Sequence, residues 1–174
     1  MMLSRTEILR AIKKGEIAIT PLDKKCIGAA SVDLHLGSEF LVYRKGGRAI
    51  FVKEDTVVPK THLKKVTISG HEVMHLKPHQ FILGVTREKI KLSGKYAGKI
   101  EGRSRFARLG LMVHISSSLI QPGSNNVQVL EIVNLSPVPL ILKPGIKICQ
   151  VSFTELKGEE KYEGKFRLQT GIKL

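Results

Sequence analysis

The property that most restricts what this chain can fold into is the loss of helical spacing beyond Gly15. From there the apolar residues recur at period two, in short runs. The clearest is Ser31 to Leu36, where Val32, Leu34 and Leu36 alternate with Asp33 and His35 and so give one face to a core. Similar runs lie at Glu39 to Tyr43, Lys65 to Ile68, Glu72 to Leu76, Phe81 to Thr86 and Tyr96 to Glu101. Further on come Leu111 to Ser116, Val127 to Asn134, Leu140 to Leu142 and Ile148 to Phe153. Gly, Pro, Asn and Ser separate them. Regularly spaced short strands with turn residues between them predict a mainly β fold, a sandwich or a barrel.

One helix is predicted, at the start. Ser4 and Glu7 form an S-x-x-E capping box, Leu3 can pack on Ile8 across the cap, and the helix runs to about Lys14. Gly15 then stands where a left-handed C-terminal cap is wanted, and Pro21 follows the short apolar stretch EIAIT. No segment repeats at a fixed period and no low-complexity tract divides the chain, so residues 1–174 are read as one domain. The segment Lys157 to Leu174 changes character. It is rich in Lys, Glu and Gly, which is the composition of a tail that orders when something binds.

The chain carries 29 Lys and Arg against 15 Asp and Glu, a formal charge of +14 that draws polyanions such as triphosphates or nucleic acid. Aromatic residues are only 5% with no Trp, too few for stacking on single-stranded nucleic acid, so a small anion is the expected partner. No apolar run reaches the ~18 residues that cross a bilayer, and the first residues carry charge without an apolar core of a leader, so a cytoplasmic address is expected. Cys26 and Cys149 are too few for a disulfide framework or a four-ligand zinc site and are read as buried thiols. His71, His75 and His79 recur every four residues, but Pro78 interrupts a helix there and no acidic or sulfur ligand accompanies them. They are read as solvent-facing.

The densest chemistry lies in GRSRFARLGLMVHISSSLIQPGSNNVQVLEIVN, which begins at Gly102. Arg103, Ser104, Arg105 and Arg108 fall within one turn-rich stretch after a strand. Guanidinium forks bind phosphate oxygens in bidentate fashion, and a Gly beside hydroxyls and free N–H groups lets backbone approach a polyphosphate. Downstream, Glu131 sits among Val127, Val129, Leu130, Ile132 and Val133, where an inward-facing acid needs a partner such as Arg108. His114 is read as a hydrogen-bonded core histidine and Asp33 as a structural carboxylate paired with backbone or Arg.

This stretch resembles the GRSSLARLGL signature of the dCTP deaminase family of the dUTPase superfamily. Three more segments, in the same order, are similar to that family: AASVDLHLGSEF at Ala29 to Phe40, PGIKICQVSF at Pro144 to Phe153 and GKFRLQTG at Gly164 to Gly171. The resemblance implies a distorted jelly-roll β-barrel of the dUTPase-like type with a short N-terminal helix. It also implies a homotrimer with sites between subunits and a tail, residues 157–174, that closes over nucleotide. The implied activity is metal-independent hydrolytic deamination of dCTP to dUTP and ammonia. Carried over by position, Glu131 is the general base, and Ser104 and Arg108 orient the tetrahedral species. Arg103 and Arg105 grip phosphates with Tyr162, Lys165 and Gln169 on the tail, while Ser116, Ser117, Ile120 and Gln121 line the nucleoside. Mg²⁺ is expected on the triphosphate, without catalytic zinc.

Three changes depart from that pattern: Gln121 stands where the family has Asp, Ser124 with Asn125 and Asn126 replaces an aromatic and Gly, and Arg105 replaces a second Ser. A neutral amide at 121 still accepts from a sugar hydroxyl but supplies no charge for activating water on phosphate, which favours dUTP over dUMP as product. The alternatives are a dUTPase or a bifunctional enzyme giving dUMP and, in another class, a catalytically silent basic module for nucleic acid or a protein partner.

Overall fold

The computed structural model describes residues 1–172. Lys173 and Leu174, the end of the expected tail, lie outside the described residues. The first helix, α1 (Arg5–Lys13), forms as its caps dictate: the Ser4 hydroxyl accepts from the Glu7 N–H at 3.5 Å, and Leu3 and Ile8 are both buried. Gly15, at φ 71°, ends it, and the N–H groups of Gly15 and Glu16 reach the carbonyls of Ile12 and Ala11 at 3.0 Å each. That is the paired C-terminal capping pattern a left-handed residue allows.

The remaining elements are strands, apart from two single 3₁₀ turns and one short helix. In chain order they are β1 (Ile17–Thr20), β2 (Val32–Tyr43), β3 (Leu63–Thr67), β4 (Met74–Leu76), β5 (Phe81–Leu92) and β6 (Tyr96–Gly102). After α2 (Ser104–Ala107) come β7 (Leu111–Met112), β8 (Leu119–Ile120), β9 (Asn125–Asn134), β10 (Leu140–Leu142) and β11 (Lys147–Glu155). The main sheet runs β7-β9-β5-β2-β11-β6-β8, with β1 on β5, β3 on β2 and a separate β10-β4 pair, all antiparallel. It curls into a half-barrel, and the mainly β class expected from the alternation holds. Its concave face closes on one core that includes Leu34, Phe40, Ile82, Leu130, Ile132 and Phe153, each 0% exposed.

Several boundaries differ from the expected ones. The runs 31–36 and 39–43 are one strand, because Gly37 lets β5 approach where a Cβ would stand 2.9 Å from the Val85 carbonyl. The EIAIT stretch supplies β1, and the run 111–116 keeps only Leu111 and Met112 as strand. Cys26 and Cys149 are buried free thiols, and burial pushes the Cys149 thiol up; His71, His75 and His79 are exposed.

Both long central strands carry an irregularity at the same place. On β5 the register jumps from Val85↔Val129 to Lys89↔Val127, so Thr86, Arg87 and Glu88 face Gln128 alone. The Thr86 hydroxyl takes over the ladder, accepting from the Gln128 N–H at 3.0 Å and donating to the Glu88 carbonyl at 2.8 Å. The Glu88 carboxylate, in a residue only 2% exposed, accepts from the His35 N–H at 2.8 Å and contacts His35 Nδ1 at 2.6 Å and Arg87 at 3.1 Å. A buried carboxylate survives only with its acceptors filled, so this cluster locks β2 to the bulge of β5. Glu88→Ala, which leaves the His35 donors buried without an acceptor, is expected to cost about 3 to 5 kcal/mol. Urea unfolding followed by circular dichroism checks this through a lowered midpoint at unchanged slope.

Candidate active site

Alternation on β9 decides where its acid goes. Leu130 and Ile132 point into the core, which turns Val129 and Glu131 to the opposite face. There the carboxylate meets the end of the chain segment that leaves β7. Glu131 Oε2 accepts from the Ile115 N–H at 3.0 Å and the Ser116 N–H at 2.6 Å, and the Ser116 hydroxyl donates to Oε1 at 3.0 Å. Beyond the end of β7 the Ile115 and Ser116 N–H groups thus serve a side chain instead of a ladder. Burial raises the Glu131 pKa, but the Ser116 N–H and hydroxyl, the Ile115 N–H and nearby His114 outweigh it and hold the carboxyl below its usual range. At neutral pH it is a charged, oriented base.

Glu131 stands in the wall of a cavity of about 410 Å³. Among the expected residues, Ser117, Ile120, Gln121, Tyr162 and Gln169 line it as well. Three unrelated segments bring them there. Ile120 is placed by the pairing of β8 with β6, where it faces Gly98, and Gln121 precedes the Pro122-Gly123 turn into β9. The tail then lies along the first residues of β9: Asn125 N–H donates to the Arg167 carbonyl at 2.8 Å and Val127 N–H to the Gln169 carbonyl at 3.1 Å. Tyr162 N–H donates to the Pro122 carbonyl at 2.9 Å, which sets its side chain at the same opening.

Sequence reasoning missed His114, Asn126, Gln128 and Phe166, which line the cavity too. His114 is not the hydrogen-bonded core residue expected: both ring nitrogens are buried and, among the described residues, have no partner. It belongs to the site. Asn126 Nδ2 donates to the Phe166 carbonyl at 2.7 Å and Gln128 Nε2 to Asn126 Oδ1 at 2.7 Å, so carboxamides fasten the tail to the strand. The only available signal was the run SNNVQ, whose amides stand where the resemblance calls for an aromatic.

The arginines do not join this cavity. Arg105 and Arg108 are exposed, as is Ser104, and none of the three lines the cavity around Glu131. The expected ion pair between Arg108 and Glu131 is absent among the described residues: Arg108 is exposed at the end of α2, and Ile115 and Ser116 hold the carboxylate instead. Arg103, directly before α2, folds back instead: Nη1 donates to the Lys147 carbonyl at 3.0 Å and Nε lies 3.4 Å from Asp33. Asp33 thus has the arginine partner expected for it. Lys165 sits with its ammonium 5.5 Å from the Phe166 ring centre, outside the cavity lining.

Comparison with known proteins joins this geometry to a family. A family model described as dCTP deaminase-like matches residues 2–156. A dCTP deaminase of Rhodospirillum rubrum is 39% identical over 166 residues, covering 90% of this chain and 83% of that protein. A dUMP-forming dCTP deaminase of Dictyoglomus thermophilum is 35% identical over 158 residues, covering 90% of this chain and 81% of its own length. Among solved structures, the 2'-deoxycytidine 5'-triphosphate deaminase of Agrobacterium tumefaciens superposes with a TM-score of 0.67 at 20% identity, over 87% of this chain but 47% of that longer one. The EIAV dUTPase superposes with a TM-score of 0.53 at 14% identity, over 86% of this chain and 96% of its own, which extends the likeness of fold to that second enzyme. With a family match over residues 2–156 and relatives 35% and 39% identical over 90% of its length, this chain belongs to the dCTP deaminase-like family.

Proposed function

We propose that the chain hydrolytically deaminates dCTP to dUTP and ammonia. The observation that carries this reading is the Glu131 carboxylate, charged and aimed by three donors from Ile115 and Ser116, in the wall of a cavity sized for a nucleoside. Glu131 takes a proton from water and the resulting hydroxide adds to C4 of cytosine. Glu131 passes that proton to N3, a second proton moves from the new C4 hydroxyl to the amine, and ammonia leaves as C4 becomes the uracil carbonyl. Backbone and hydroxyl groups about Ser116 and Ser117 read the base edge, with Ile120 and Gln121 beside the sugar.

Ser104 and Arg108 orient the tetrahedral species from a second copy of the chain, since their own cavity holds neither. A homotrimer with sites between subunits accounts for this. Arg103 and Arg105 hold the phosphates, and Tyr162, Lys165 and Gln169 on the tail complete the closure. Among the described residues no three His, Cys, Asp or Glu side chains come together as a metal site. Mg²⁺ therefore fits as an ion carried mainly by triphosphate oxygens, shielding their charge. Gln121, a neutral amide in the cavity wall, supports release of dUTP over further cleavage to dUMP. No helix among the described residues is long and apolar enough to cross a membrane, and we place the reaction in the cytoplasm.

Incubation with dCTP and separately with dUTP, followed by chromatography, is expected to give dUTP and ammonia from the first and no dUMP from either. Glu131→Gln is expected to lower kcat by about 10²- to 10⁴-fold with dCTP binding retained. Full activity in that variant overturns the mechanism.

The pH profile follows from the direction of the Glu131 shift. A carboxyl held below its usual range stays a base as pH falls, and activity is lost only through the lowered pKa. Ser116→Ala removes one of the donors that lower it, so the acid limb of kcat is expected to move to higher pH, as measured by steady-state rates across the acid range. Subunit exchange checks the shared site: Glu131→Gln and Arg108→Ala, each inactive alone, are expected to recover partial activity when mixed and reassembled.

A further inference from the structure

Asp33 and Arg103 are joined across three neighbouring strands. Asp33 lies on β2 opposite Gln150 of β11, and Arg103 follows Gly102, the last residue of β6, which pairs with Cys149 of β11. The pair is partly buried, with side chains 21% and 22% exposed, so solvent screens it less than a surface pair. The Lys147 ammonium lies 3.7 Å from the same carboxylate. Two cations thus share one anion, and a unit of positive charge is left over beside α2.

The guanidinium is fixed at two of its three nitrogens. Nε faces Asp33 and Nη1 donates to the Lys147 carbonyl, while Nη2 has no partner among the described residues. An arginine held in this way keeps its plane in one orientation and leaves the Nη2 N–H groups for an incoming oxyanion. Without the carboxylate, Arg103 and Lys147 repel each other and the fork loses its anchor.

We propose that Asp33 is a positioning residue for phosphate binding, acting through Arg103. This rests on the reading above in which Arg103 holds the triphosphate. The opposite reading, in which Asp33 merely neutralises Arg103 in a structural brace, predicts that removing it leaves anion affinity unchanged or raises it.

The two are separated in the full-length chain by Asp33→Asn, which keeps the shape, and Asp33→Ala. Calorimetric titration with inorganic triphosphate is expected to weaken roughly tenfold in the Ala variant and less in the Asn variant, the loss of one charge-assisted contact. KM for dCTP is expected to rise in parallel while kcat at saturation changes less than about twofold, because only binding common to ground and transition states is touched. Competition by deoxycytidine, which has no phosphate, is expected to be unaltered. Unchanged or tighter triphosphate binding in the Asn variant overturns the proposal. If the parent chain binds inorganic triphosphate without turning over dCTP, deamination fails as the function while the calorimetric comparison still judges Asp33.

Discussion

The contact on which the site depends is a carboxylate filling two consecutive backbone N–H groups. Glu131 takes the Ile115 and Ser116 donors and adds the Ser116 hydroxyl, joining β9 to the segment that leaves β7. This contact fixes the loop after β7 and favours the charged form of the acid at once. Hydrogen bonds to an ionised group are about twice as strong as neutral ones, so the arrangement tolerates partial burial that would otherwise neutralise the group.

Behind that face the half-barrel is shaped by interruptions more than by regular pairing. Three residues of β5 oppose one of β9, Thr86 bridges the gap with its hydroxyl, and Glu88 is buried against His35 and Arg87 to hold the distortion. A bulge with a satisfied buried charge is a rigid feature, because every partial loss of its partners exposes a desolvation penalty. The same irregular stretch faces Gln128, next to Asn125, Asn126 and Val127, the residues against which the tail is laid. Fold irregularity and cavity wall are therefore one construction.

Ionic partnerships divide the arginines by task. Arg103 is committed to Asp33 and the Lys147 carbonyl, whereas Arg105 on α2 and Arg108, its C-cap, face solvent. In a chain of net charge +14 such exposed guanidinium groups add to a field that attracts anions. The position of α2 keeps them away from the acid of their own cavity.

Strand and helix were legible where one residue type leaves one option. The capping box, Gly15 and the alternation at Val32, Leu34 and Leu36 each act within a few residues, and each appears as read. Ser117, Ile120, Gln121, Tyr162 and Gln169, named from the resemblance, line one cavity in the structure. What local order could not carry was partnership. Glu131 was matched with Arg108 because both stood in one stretch, yet backbone donors sixteen and fifteen positions upstream took the acid instead. His114 looked like core and lies on the cavity, and the amides Asn126 and Gln128 showed their use only once the tail was folded against them. Periodicity and turn chemistry are short-range properties, and the sequence alone determined them. Which donor meets which acceptor depends on how a curled sheet brings distant segments within hydrogen-bonding distance, and only the tertiary structure decided that.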